Sequence, residues 1–94
     1  MELIYKGSFR RDTNSIANKE LMKALKRKID EIKSANSVSQ ISRLKRFRAR
    51  NKIWYKIEIH TAQGNKIYWI LCIIRNNVVE FRRLKPESYF KKNF

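Results

Sequence analysis

Between Glu31 and Glu58 the chain carries no acidic residue, yet Lys33, Arg43, Lys45, Arg46, Arg48, Arg50, Lys52 and Lys56 all fall in that interval. A single-sign cluster of this kind repels itself, and a bound polyanion relieves the repulsion. The bland alternative is a solvated loop that keeps the protein soluble, but solubility is ordinarily reached with mixed charges. Over the whole chain Lys and Arg number 23 against 8 Asp and Glu, a formal charge of +15. Phosphates or acidic side chains are the expected counterpart.

The residue types exclude several chemistries. His60 is the single histidine, so an acid and base pair of imidazoles is ruled out by count, and a lone histidine at a strand end is more often structural. One histidine and one cysteine, Cys72, cannot assemble a zinc centre, and the acids are too scattered for a two-metal nuclease. Phosphate-binding glycine loops, dinucleotide fingerprints and zinc-finger spacings are absent. No cofactor is implied. Any phosphoryl chemistry must rest on cations and a tyrosine. RNA allows this, because its own 2′-hydroxyl attacks the phosphate and the protein need only orient it and stabilise the added negative charge. A lysine crowded by arginines has a lowered pKa and could serve as the base.

These side chains must be placed by a small fold. Ninety-four residues, 43% hydrophobic, make one domain, residues 1–94, with one modest core. Cys72 sits within the apolar run 67–74, which speaks against a disulfide scaffold and for a reducing cytoplasm. That run is far short of the roughly 20 residues of a membrane span, and the amino terminus lacks the apolar stretch of a signal peptide. A cytoplasmic protein with no membrane partner is expected.

Leu3 to Tyr5 suits a first strand, closed by a turn at Lys6 and Gly7. Ile16, Leu21, Leu25, Ile29 and Ile32 recur at helical spacing with lysines between them, and Asn18 suits the cap of the main part. Asn36 suits a left-handed helix end, and Ser37 with Gln40 suits a capping box opening a second helix through Ile41 and Leu44. From Ile53 the period is two: Ile53, Tyr55, Ile57 and Ile59 share one face, and Trp54, Lys56, Glu58 and His60 the other. A turn at Gln63, Gly64 and Asn65 leads to a strand covered on both faces. Asn76 and Asn77 form a two-residue hairpin loop, Val78 to Leu84 returns, and Pro86 stops it. The tail from Glu87 adds a helical turn or stays a mobile basic end. The expected fold is α+β, in the order β-α-α-β-β-β, with a helical hairpin on one face of an antiparallel sheet.

A two-residue turn at Asn76 and Asn77 sets Arg82 opposite Leu71 and Glu80 opposite Ile73, so Arg82 shares a face with Trp69. If the face of Ile57 packs on the helices, the other carries Trp54, Lys56 and Glu58 with Trp69 and Arg82. Rings among cations suit single-stranded RNA, whose bases stack while Lys and Arg hold phosphates. Lys45, Arg46, Arg48, Arg50, Lys52 and Trp54 are the candidate nucleic-acid contacts. Trp69, in the most apolar strand, reads better as sheet packing.

The chain resembles the RelE/ParE superfamily of type II toxins over nearly its whole length. The resemblance lies in the order and spacing of ELIYKGSFRRD, EIKSANSVSQI, SRLKRF, NKIWYKIEI, GNKIYWIL and VVEFRRLKPESYF. It implies a small basic toxin, either a ribosome-dependent mRNA endonuclease or an inhibitor of gyrase, neutralised by a cognate antitoxin. Its catalytic set maps to Lys56, Lys66, Arg82 or Arg83, and Tyr89. The chain departs from the cleaving pattern at Glu58, where a second basic residue is usual, at Lys66 instead of arginine, and at Lys85–Pro86. Three readings are therefore expected: a toxin that cleaves mRNA, a toxin acting on a protein target, and a non-catalytic nucleic-acid-binding module.

Overall fold

The computed structural model describes residues 1–61 and 67–93, so Lys66 and the expected turn at Gln63, Gly64 and Asn65 lie outside the described residues. Strand β1 (Glu2–Tyr5) runs into helix α1 (Gly7–Asn14) and helix α2 (Lys19–Ser34). After a short 3₁₀ turn at Val38–Gln40 come β2 (Leu44–Ala49), β3 (Lys52–His60), β4 (Ile67–Arg75), β5 (Val78–Pro86) and helix α3 (Glu87–Asn93). The five strands form one sheet in the order β1-β5-β4-β3-β2. β2 to β5 are an antiparallel meander, and β1 closes the sheet by pairing parallel to β5.

The domain is thus α+β, but its sheet is mixed and has one more strand than the sequence pattern suggests. The second helix expected through Ile41 and Leu44 is absent, and β2 begins at Leu44. Leu44 and Phe47 mimic helical spacing, yet alternation sets Leu44 against the main core and Phe47 against the opposite face. Pairing with β3 provides a ladder that a short helix rich in cations could not match. The helix pair lies one element earlier. Gly7 opens α1 instead of closing a turn, in a segment with one apolar residue, Phe9. Tertiary contact supplies what the sequence lacks, for Phe9 is buried and stacks on Phe81 with ring centroids 5.2 Å apart.

α2 carries the main apolar stripe, burying Leu21, Ala24, Leu25 and Ile32. Asn18 caps it as expected, its carbonyl oxygen accepting from the backbone N–H groups of Glu20 and Leu21. Its other end has no left-handed residue at Asn36: the φ of Ala35 is −69° and Asn36 is not among the positive-φ residues. The amino group of Met1 instead donates to the carbonyls of Lys33 and Ala35, at 3.0 and 2.8 Å, and brings a positive charge to the helix C-terminus. Gln40 does reach back as in a capping box, but its side chain accepts from the Asn36 N–H.

α1 and α2 cover one face of the sheet. Ile57, Ile70, Cys72, Val79 and Phe81 on that face are fully buried. α3 packs on the opposite face, where Phe90 meets Trp69 and Leu71. β4 is therefore covered on both sides, as its continuous apolar run requires. Among the described residues, two-residue turns join β2 to β3 and β4 to β5. Asn76 and Asn77 hold φ of 49° and 66°, and Arg50 and Asn51 hold 54° and 60°. No helix of the described residues is long and apolar enough to cross a membrane.

Candidate nucleic-acid interface

The last strand is not regular. Ile73 pairs with Glu80 as its turn dictates, but Cys72 pairs with Phe81 and Leu71 with Arg83, so Arg82 is the extra residue of a β-bulge. The expected pairing of Arg82 with Leu71 is corrected by one position. A bulge re-aims side chains, and here both Arg82 and Arg83 escape the core between buried Phe81 and Leu84. The Arg82 guanidinium lies 5.6 Å from the Trp54 ring centroid and 2.7 Å from Glu80. Arg83 turns to α1, where its Nε donates to Asp12 at 2.8 Å.

Asp12 is the one buried charged residue among those described, and sequence reasoning did not single it out. β1 covers β5 only as far as Phe81. Beyond it α1 takes over: Ser8 donates to the Arg82 carbonyl, and the Asp12 carboxylate accepts from the Leu84 N–H at 2.9 Å, so the open edge is satisfied by side chains. Burial alone would push the Asp12 pKa up. The hydrogen bonds from Arg83 and Leu84, with the charges of Arg83 and Lys85, outweigh it and hold the carboxyl below its usual value. The Asp12 hydrogen bond in turn raises the Arg83 guanidinium.

Lys56 projects from β3 onto the face that α1 and α2 leave open. Its ammonium lies 4.5 Å from the Trp69 ring centroid, 5.8 Å from Phe47 and 5.7 Å from Phe90. Lys45, directly opposite on β2, lies 5.6 Å from the same Trp69 ring. Neither lysine makes an ion pair with a described carboxylate. Trp69 is 2% exposed and packs with Leu71 and Phe90, the packing role read from its strand, but its indole N–H is buried without a described hydrogen-bond partner. Tyr89, on α3, has Arg83 at 5.7 Å and Lys85 at 5.5 Å from its ring centroid. Of the expected catalytic set, Lys56, Arg82 and Tyr89 border the open face at different rings, Lys56 at Trp69 and Phe90, Arg82 at Trp54 and Tyr89 beside Phe90, while Arg83 is held by Asp12 of α1. Lys66 is outside the described residues.

The basic run divides between two faces. Lys45, Lys52 and Trp54 share the open face, with Lys52 6.0 Å from the Trp54 ring. Trp54 is oriented by its indole N–H, which donates to the Ala49 carbonyl at 3.1 Å. Arg46 and Arg48 share the face of Leu44 and lie on the helix side, opposite Tyr55 and Ile53. Arg50 sits in the turn between the two strands. A reading from charge alone could not separate them, because a strand's period of two appears only once β2 is known to be a strand.

Glu58 stands where the resemblance implies a second cation. Its carboxylate takes Arg43 and His60, both at 2.7 Å. Desolvation is the largest influence on it and acts upward, but the two hydrogen bonds and charges together hold it below the usual range. His60 therefore has a structural partner. Burial pushes the Cys72 thiol up to about 12, which leaves it inert as a nucleophile. Among the described residues no cluster of three His, Cys, Asp or Glu side chains could hold a metal. Phe90, which closes the open-face cluster, was missed as packing; the apolar pair Tyr89–Phe90 just past Pro86 was its signal. No family model, curated protein or solved structure matches the chain.

Proposed function

We propose that this chain is the toxin component of a type II toxin-antitoxin system, a metal-independent endoribonuclease that cleaves mRNA on the ribosome and is held inactive by a cognate antitoxin in the cytoplasm. The observation that carries the reading is the placement of Lys56, with Lys45 beside it, on an aromatic face where neither lysine is ion-paired to a described carboxylate. A phosphate arriving there meets two cations, and the rings offer stacking surface for bases. Lys56 then holds the attacked phosphate and stabilises its growing charge while the 2′-hydroxyl of the RNA bonds to phosphorus, closing a 2′,3′-cyclic phosphate. The bond to the 5′-oxygen breaks, that oxygen leaving with a proton that balances the one lost by the hydroxyl. Tyr89, flanked by Arg83 and Lys85, orients the neighbouring nucleotide.

A second reading has its own support. Arg82 is ion-paired to Glu80, and Arg83 and Lys85 to Asp12, so the cations of the last strand are committed within the protein. A toxin that grips gyrase or another protein, or a binding module without catalysis, needs no such arginine free.

Induced expression in bacteria with mapping of mRNA 5′ ends separates them. New ends within codons, absent with Lys56→Ala, are expected for the ribonuclease. Growth arrest without new ends rejects cleavage and favours the protein target; no arrest leaves binding alone.

A further inference from the structure

A second cationic site lies on the same face, at the Asn76–Asn77 end of the sheet. Lys52, Arg75 and Arg82 line a shallow cavity of about 320 Å³ together with Ile4, Ile73, Val78 and Glu80. Glu80 is the only acid in the lining, and its charge is already matched by Arg82 at 2.7 Å and Lys6 at 3.6 Å. Those partners, the Arg82 hydrogen bond foremost, hold its carboxyl below the usual range. Lys52 and Arg75 make no ion pair with a described carboxylate, so the cavity keeps an excess of positive charge. Trp54 lies next to two of the lining cations, its ring centroid 6.0 Å from Lys52 and 5.6 Å from Arg82. The bulge in β5 is what turns Arg82 toward this place.

We propose that this cavity is a phosphate-binding subsite for single-stranded RNA, separate from the site at Lys56 and on the same strand path. The proposal rests on the RNA reading of the open face. Lys52 and Lys56 are four residues apart on one strand and share a face, roughly 13 Å of separation at about 3.3 Å per residue. A single strand held at Lys56 reaches the cavity within a few nucleotides, and its backbone phosphate meets Arg75 and Lys52 while Trp54 offers a stacking edge. The subsite would fix the direction in which RNA crosses the sheet. It would also lengthen the footprint beyond what cleavage needs.

Fluorescence anisotropy with a labelled trinucleotide and a labelled octanucleotide tests this on the full chain, comparing wild type with Arg75→Gln, Lys52→Gln and Lys56→Ala. Arg75 and Lys52 are exposed, so their glutamine variants are expected to melt like wild type. The expected result is that Arg75→Gln and Lys52→Gln each weaken octanucleotide binding roughly three- to tenfold and leave the trinucleotide unchanged. Each should also flatten the dependence of log affinity on log salt by about 0.7, the share of one phosphate on a single strand. Lys56→Ala should weaken both lengths. If Lys56→Ala weakens binding and the two cavity variants do not, the subsite is overturned and the open-face reading stands. If the cavity variants weaken the octanucleotide and Lys56→Ala does nothing, the subsite stands and the Lys56 reading falls. Absence of RNA binding by wild type, with an acidic peptide bound in an Arg75-dependent way, overturns both and assigns the cavity to a protein partner.

Discussion

The two faces of the sheet are built from alternate residues of the same strands and do different things. On the helix-covered face, Ile57, Ile70, Cys72, Val79 and Phe81 are fully buried and α1 and α2 seal them. On the other, a small cluster of Trp69, Leu71 and Phe90 is the apolar ground on which cations lie. The larger core lies on the first face, and the cations seated against aromatic rings on the second. The two are separable because a strand's period of two lets one residue serve the core while its neighbour serves a ligand.

Phe81→Ala is the substitution that would break the first face. Phe81 is 0% exposed and touches Phe9 and Tyr5, so truncation should cost about 3–5 kcal/mol, readable as a fall in the urea midpoint. A smaller loss would mean that this core relaxes around cavities and is less decisive than its burial implies.

Asp12 holds the seam between the faces. Asp12→Ala leaves the Leu84 N–H and the Arg83 guanidinium without their acceptor, and should cost about 2–3 kcal/mol. The same carboxylate gives a pH signature. Asp12, Glu31, Glu58 and Glu80 all have folded pKa values lowered from ordinary values of 3.8 for Asp12 and 4.5 for the glutamates. Their stabilisation is therefore fully present above those values and is lost as pH falls through the lower folded ones. Wild type should lose stability steadily below about pH 5, and Asp12→Ala less steeply. Equal slopes in the two proteins would remove Asp12 from the account.

Phe90→Ala compares the faces directly, since Phe90 and Phe81 are both buried rings. Its expected cost is nearer 1–2 kcal/mol, because α3 is a seven-residue helix outside the strand ladder, and its release returns conformational entropy that the central strand cannot recover. Trp69 would then be exposed, and its fluorescence should shift to the red. A cost equal to that of Phe81→Ala would make α3 part of the core and not an attachment to it.

How far these faces can be read from sequence follows from where the signal is local. β3 was legible because Ile53, Tyr55, Ile57 and Ile59 alternate strictly, and the Asn76–Asn77 turn because both residues tolerate positive φ. The cap at Asn18 was equally plain. α1 was not, since Phe9 is its one large apolar residue and its stability comes from Phe81, far along the chain. β2 was not legible, because Ser37, Gln40, Ile41 and Leu44 suit a short helix and, from Lys45 to Arg50, only Phe47 and Ala49 are apolar. The bulge at Arg82 had no local mark at all. Of the residues named for a site, Lys56 could be placed on its face from the period of two and Tyr89 came from the resemblance alone, while Asp12 and Phe90 depend on contacts that only the fold creates.

Lys56→Met carries the smallest expected change in stability and the sharpest test of the contrast. The methionine keeps an unbranched stem over Trp69, Phe47 and Phe90 and removes only the charge. The folding free energy should stay within about 0.5 kcal/mol of wild type. RNA affinity should fall, and its salt dependence flatten, because one phosphate loses its cation. Were the charge there to stabilise the aromatic cluster, the melting temperature would drop while RNA binding held, and the open face would be a second core instead of a binding surface. A variant that melts like wild type and binds RNA poorly would place folding and binding on opposite sides of one sheet.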